Sequence, residues 1–339
     1  MLGKPYRVRT PFTLRSVPFL GRLYLEAYHR PDRFWRSRML RVLLKILRAG
    51  SPSSTGEFEY ERLGQRHRVV FNAKNFQFQA LYAPFYQTGF EPEVAMLIDA
   101  LLPEGGTFFD IGSNWGYFSL CAASCRQKVE IHAFEPQPAT YQDLTQCVQQ
   151  AGLSQVVTCH NVALSSSDGE ASITIPDGLH SGTAEVSLRN GGQRVPMRRL
   201  DSLGLPAPGF IKMDVEGHET EVLRGGVEVL KSARPFIVFE SKPSAAFEEK
   251  SLEPLFFLKD LGYRLYAPAL QRHNGTRVYY QQDYTLPASP GDSVVLIELA
   301  PEERLLWPAY LNLLACHEER LPQLAASFGA GREERPAAP

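Results

Sequence analysis

The sequence holds no apolar run near the roughly 18 residues that a membrane-spanning helix needs. It also lacks a sustained apolar segment behind its basic N-terminal residues, so no secretory signal is expected. Its five cysteines (Cys121, Cys125, Cys147, Cys159 and Cys316) are odd in number and form no Cys-x-x-Cys pair. That disfavours a disulfide framework and a zinc site, and reads as reduced, mostly buried thiols of a cytoplasmic protein. No Asn-Pro-Pro-Tyr or Asp-Pro-Pro-Tyr box for base amino groups occurs, and no internal repeat is found. What remains is an ordinary globular composition, 44% hydrophobic and 22% charged over 339 residues, enough for a sizeable core.

Charge is unevenly spread. Residues 1–50 carry twelve Lys or Arg against Glu26 and Asp32, a net +10, and a total of −1 leaves −11 for the rest. Residues 33–48 read as a helix with Arg38, Arg41, Lys45 and Arg48 on one face and Trp35, Met39, Val42, Leu43 and Ile46 on the other. Such a helix either caps the domain, docks on a partner or lies on the inner face of a membrane as a peripheral contact. The Gly/Ser/Pro stretch 50–56 reads as a linker.

Beyond a β-leaning lead-in (68–71) and a helix at 92–102, strands and helices alternate. Strands are expected at 107–111, 129–135, 156–162, 209–215, 235–241, 263–267 and 293–299, with helices at 116–125, 138–151, 217–231 and 251–261. Repeated βα units imply an α/β fold with a mostly parallel sheet covered on both faces. Short β-like pieces at 170–199, which include His180-Ser181-Gly182-Thr183, interrupt the series and read either as an acceptor-side lid or as a surface excursion. The last two strands lack a long helix between them and are expected to form an antiparallel hairpin. The expected organisation is a basic helical arm and linker over 1–56, a catalytic domain over 57–300, and a C-terminal helix and disordered tail over 301–339.

Two strand ends carry the chemistry. Phe108-Phe109-Asp110-Ile111-Gly112-Ser113-Asn114-Trp115-Gly116 runs from an apolar strand into a loop where Gly112 and Gly116 allow a tight turn and close approach of a ligand. The next strand ends at Glu135, placed to accept hydrogen bonds from a ribose diol. The loop departs from the Gly-x-Gly-x-x-Gly dinucleotide pattern, and Asp110 would repel a diphosphate. A carboxylate there suits a ligand with a cationic amino-acid end, as S-adenosylmethionine has, and weighs against NAD or another nucleotide. The second end is Lys212-Met213-Asp214-Val215-Glu216-Gly217-His218-Glu219, a burst of ionisable groups expected at the same rim.

The blocks Phe109–Ser119, Ala133–Pro138, Asn161–Ser165 and Ile211–Glu219, with Val222–Gly226 and the lead-in Phe90-Glu91-Pro92-Glu93, resemble the FkbM family of S-adenosylmethionine-dependent methyltransferases. The resemblance covers roughly residues 88–242. It implies a Rossmann-like class I methyltransferase, a seven-stranded sheet with an antiparallel last strand, acting on a hydroxyl of a sugar, glycolipid or polyketide-like small molecule. It also implies that Asp110, Gly112, Asn114 and Gly116 hold the methionine end of the cofactor, with Asn161 near the adenine. Asp214, Glu216 and His218 would then face the methyl group and the acceptor.

A hydroxyl must lose its proton as the C–O bond forms, so a base is expected among His218, Glu216 and Asp214. No metal is assigned, although Asp214 and Glu240 could act as oxygen ligands for Mg²⁺. The acidic catalytic body predicts no nucleic-acid partner, despite the basic arm.

Overall fold

The structure, a computed structural model, describes residues 2–5, 10–16, 55–73, 75–81, 89–174, 185–187, 193–242, 248–279, 291–307 and 310–329. The expected helix 33–48, the turn His180–Thr183 and the tail 330–339 lie outside the described residues.

Two short strands, β1 (Leu2–Pro5) and β2 (Phe12–Ser16), precede the hairpin of β3 (Thr55–Arg62) and β4 (Gln65–Asn72). Helix α1 (Pro92–Leu101) leads to β5 (Thr107–Ile111), α2 (Tyr117–Cys125), β6 (Glu130–Phe134), α3 (Pro138–Gln150) and β7 (Val157–His160). Four short strands follow: β8 (Ala163–Leu164), β9 (Gly169–Thr174), β10 (Glu185–Ser187) and β11 (Gln193–Arg198). Then come β12 (Phe210–Met213), α4 (Glu219–Gly225), α5 (Val227–Ala233), β13 (Phe236–Ser241), α6 (Glu248–Asp260) and β14 (Tyr263–Gln271). The chain closes with β15 (Arg277–Tyr279), β16 (Ser293–Leu299), β17 (Leu311–His317) and α7 (Leu321–Phe328).

The main sheet runs β7-β6-β5-β12-β13-β17-β14-β16-β1, with β15 on the side of β14. From β7 to β13 every pairing is parallel, while β17 is antiparallel to both of its neighbours. Its first seven strands are therefore a mostly parallel sheet with one reversed strand. The parallel strands are buried on both faces, which explains why Phe108, Phe109, Ile131, Phe134, Phe236 and Phe239 give near-continuous apolar runs.

The reversed strand is not the expected one. Residues 293–299 pair with β14 as the expected hairpin, but the strand reversed between β13 and β14 is Leu311–His317. A catalytic domain ended at residue 300 would lack a central strand, because Leu311, Leu313, Leu314 and Ala315 are buried in the sheet. The N-terminal residues are not a separate arm throughout either, since β1 extends the main sheet and β2 pairs with β3. The single helix expected over 217–231 is two, broken at Gly225-Gly226, where a Cβ on Gly225 would lie 1.9 Å from the Ser165 carbonyl oxygen. The pieces at 170–199 form an antiparallel set with β8 joined in parallel.

Candidate functional site

Strand order turns back on either side of β5, since the chain moves outward to β6 and β7 and then returns to place β12 on the other flank. Ligands of open α/β sheets bind at such a point, beyond the carboxyl ends of the strands. Register sets Asp110 of β5 beside Ala133 of β6 and Lys212 of β12.

Asp110 is fully buried, and its Oδ2 accepts a hydrogen bond from Ser119 Oγ at 2.6 Å. Its Oδ1 and the Ser113 Oγ are buried without a partner. Burial raises the Asp110 carboxyl above its ordinary range, and the nearby Lys212 charge opposes that shift. Gly112 stands at φ +75°, where a Cβ would lie 1.8 Å from the Asp214 carbonyl oxygen, so only glycine lets β5 and β12 close at their tips. Its N–H and that of Ser113 both donate to the Phe134 carbonyl, each at 3.0 Å.

Glu135 is 6% exposed. Its Oε2 accepts from Asn114 N–H at 3.0 Å and its Oε1 from Gln137 N–H at 2.9 Å, and burial pushes the carboxyl up to about 7. Asn114 contributes through its backbone, at φ +48°, because its Oδ1 accepts from Trp115 N–H and from the Asn75 amide at 3.1 Å. Asn161 likewise ties down the loop, donating to the Glu135 and Pro136 carbonyls at 2.9 and 3.0 Å. Gly116, at φ +93°, starts α2. An apolar recess lined by Ile111, Gly112, Phe134, Pro136, Val162, Val215 and His218 opens beside these residues.

The other half of the rim, at the tips of β12 and β13, is a ladder of alternating charge. Lys212, 4% exposed, points Nζ at Asp214 Oδ2 (3.4 Å) and over the Phe118 ring (5.1 Å). The carboxylates of Asp214, Glu216 and Glu240 come within 4.8 Å of one another. Lys242 bonds Glu240 at 2.9 Å and also bonds Glu216, which stands at φ +52°. Burial, then Asp214, raises Glu240 to about 8. The structure thus gathers Asp214 and Glu216 with Glu240, while His218 turns elsewhere. Its Nε2 is 2.9 Å from Ser165 Oγ, and burial lowers its pKa, so it is neutral near pH 7.

Three features escaped the sequence. Lys212 and Lys242 are the counter-charges of the acid cluster; a lone charge in the apolar strand Phe210–Met213 could have flagged Lys212, whereas Lys242, just past β13, carries no such signal. Tyr310, 46% exposed, lies under Lys242 Nζ at 5.2 Å from its ring centre. Strands β2 and β3 and the turn at 76–81 brace the loop: Trp115 packs among Phe12, Phe58 and Phe78, and Tyr60 donates to the Leu120 carbonyl at 3.0 Å.

Residues 110–265 match the family model described as the Methyltransferase FkbM domain. The chain is 34% identical over 154 residues to the hexuronic acid methyltransferase AglP of Haloferax volcanii, a match covering 44% of this chain and 62% of that protein. Among solved structures it is similar to the methyltransferase FkbM from Methylobacillus flagellatus (17% identity, 57% of this chain and 44% of that one, TM-score 0.36). It is also similar to the precorrin-6y C5,15-methyltransferase of Geobacter metallireducens (17% identity, 67% and 88%, TM-score 0.38).

Proposed function

We propose that this chain, which carries an FkbM methyltransferase domain over residues 110–265, transfers a methyl group from S-adenosylmethionine to a hydroxyl of a sugar-like small molecule. One observation carries the reading. Two buried acids at neighbouring strand tips, Asp110 and Glu135, flank a glycine that packs against the next strand, and two polar atoms there, Asp110 Oδ1 and Ser113 Oγ, have no partner. Buried polar atoms are rarely left unsatisfied, and an ammonium group from a ligand would satisfy both. Each Glu135 oxygen keeps a free lone pair for a ribose hydroxyl beyond its backbone bond. The apolar residues beside Gly112, Phe134, Pro136 and Val162 among them, are the surface on which the adenine would rest. In this assignment Asn114 and Asn161 act by shaping the loop, and Gly116 by starting α2.

When bound, the cofactor supplies a methyl group on a positively charged sulfur, already a good leaving group. The residues of the chain then have three tasks: to hold the acceptor oxygen in line, to exclude water and to take a proton. Alignment supplies much of the rate. Tyr310 offers a flat face for the apolar side of a pyranose ring, and Lys242 and Glu240 can hold its hydroxyls. A sugar acceptor also accords with the hexuronic acid named for the archaeal relative. Isothermal calorimetry with S-adenosylhomocysteine and with NAD tests the cofactor, and NAD binding alone would overturn the assignment. Labelled S-adenosylmethionine with cell extract identifies the acceptor.

A further inference from the structure

We propose that Glu91 is the base that takes the proton of the acceptor hydroxyl, an inference that rests on the methyl-transfer reading above. Glu91 immediately precedes α1 and is held at φ 40° in the left-handed region, where side-chain-bearing residues are uncommon. It is 9% exposed, and its Oε2 is fully buried without a hydrogen-bond partner. Its carbonyl accepts from Val94 and Ala95 N–H at 3.0 and 3.3 Å, but its side chain makes no capping bond to α1, so closing the helix does not occupy the carboxylate. A strained backbone and an orphaned buried carboxylate each cost stability, and strain of this kind concentrates at functional positions.

The neighbours point the same way. Phe90 N–H, one residue before Glu91, donates to Tyr117 Oη of α2 at 3.1 Å, and the charges of Asp214, Lys212, Glu240 and Glu93 act on the Glu91 carboxyl. Burial first, then Asp214, pushes the Glu91 carboxyl well above the usual carboxylate range, while Lys212 pulls it back. Glu93 Oε2 is likewise buried without a hydrogen-bond partner, but its Oε1 is held by the Asn312 amide at 2.9 Å and its backbone lies within α1, and the other rivals are engaged. Asp214 pairs with Lys212, Glu216 and Glu240 pair with Lys242, and Glu135 holds two backbone amides. Asp110 keeps a free oxygen, but on the cofactor half.

The step balances without a further reactant. As the hydroxyl oxygen bonds to the methyl carbon, the carbon–sulfur bond breaks and its electron pair goes to sulfur, which becomes a neutral thioether. The hydroxyl proton passes to the Glu91 carboxylate and reaches water after the product leaves. Lys212 helps keep Glu91 ionised before the step.

Glu91→Gln and Glu91→Asp test this, with methyl β-D-glucuronide as acceptor probe and S-adenosylhomocysteine as binding probe. Glu91→Gln is expected to lower kcat by about 10²–10⁴-fold and to leave S-adenosylhomocysteine affinity within about twofold. It should also abolish the acid limb of the kcat profile, and Glu91→Asp should restore part of the rate. Independently of any acceptor, Glu91→Gln should raise the melting temperature at pH 8, because it removes a desolvated charge that folding disfavours. An unchanged kcat, a persisting acid limb or a lowered melting temperature would overturn the assignment. So would lost S-adenosylhomocysteine binding with kcat intact, which would make Glu91 a cofactor ligand. Wild-type protein that binds no S-adenosylhomocysteine would instead sink the methyl-transfer reading itself.

Discussion

Replacing Gly112 with alanine tests the cofactor cradle where it is tightest. A Cβ there would lie 1.8 Å from the Asp214 carbonyl oxygen, against ordinary contact from 3.4 Å, so the two strand tips must part by about 1.6 Å. Neither tip is free to move. Gly112 N–H donates to the Phe134 carbonyl and Asp214 N–H to the Ile111 carbonyl, both at 3.0 Å. A side chain in the left-handed region costs about 1–2 kcal/mol, and overpacking about 1–3 kcal/mol. Their sum, about 2–5 kcal/mol, should lower the melting temperature by about 4–20 °C in a domain of this size. Misplacing Asp110 by an ångström or more should weaken S-adenosylhomocysteine binding measured by calorimetry, and the same misplacement of the methyl donor should lower kcat about 10²-fold. Gly217→Ala is the control. Gly217 stands at φ +88° with nothing within 4 Å of its would-be Cβ, so it pays the strain without the clash. If Gly112→Ala binds S-adenosylhomocysteine as tightly as wild type, the cradle is not the cofactor site.

The other predictions concern single side chains. Burial places the Glu135 carboxyl at about 7, so S-adenosylhomocysteine affinity should rise as pH climbs through 7, and Glu135→Gln should weaken binding and flatten that profile. The sign for stability is opposite. A folded pKa above the unfolded one favours the protonated fold, so the Glu135 contribution is full below about 4.5 and is lost as pH rises to about 7. His218→Ala removes the hydrogen bond to Ser165 and should cost about 1 kcal/mol of stability with kcat within a few-fold. A tenfold fall in kcat with cofactor affinity intact would make His218 the base instead. Tyr310→Ala should raise the KM for a sugar acceptor about fivefold, the loss of one stacking contact of about 1 kcal/mol, while leaving S-adenosylhomocysteine binding unchanged. A KM that stays put would remove Tyr310 from the acceptor side.

How much of this was legible beforehand follows from the range of the interactions. Strands 107–111 and 293–299 fall at the expected residues, and the other central strands within a few, because burial on both faces writes an apolar run into local sequence. Strand 311–317 was missed for a related reason: a run of seven residues has no periodicity that separates it from loop or helix, and what makes it a strand is the gap between β13 and β14. The acids at the strand tips could be read, since each ends a strand before a glycine or a helix. Their charge states could not. Lys212 and Lys242 reach the acids through register and strand curvature, and nothing in Phe-Glu-Pro-Glu marks Glu91 as strained and Glu93 as bonded to Asn312. The same limit shapes the chemistry. Six buried or half-buried carboxylates (Glu91, Asp110, Glu135, Asp214, Glu216 and Glu240) share one rim with two lysines, so they cannot all be ionised at neutral pH without mutual repulsion. The lysines pair with the Asp214, Glu216 and Glu240 carboxylates and two backbone amides hold Glu135, which leaves Asp110 and Glu91 each with a buried oxygen that no hydrogen bond satisfies. That pair underlies both proposals: the cationic donor beside Asp110, and the proton to Glu91.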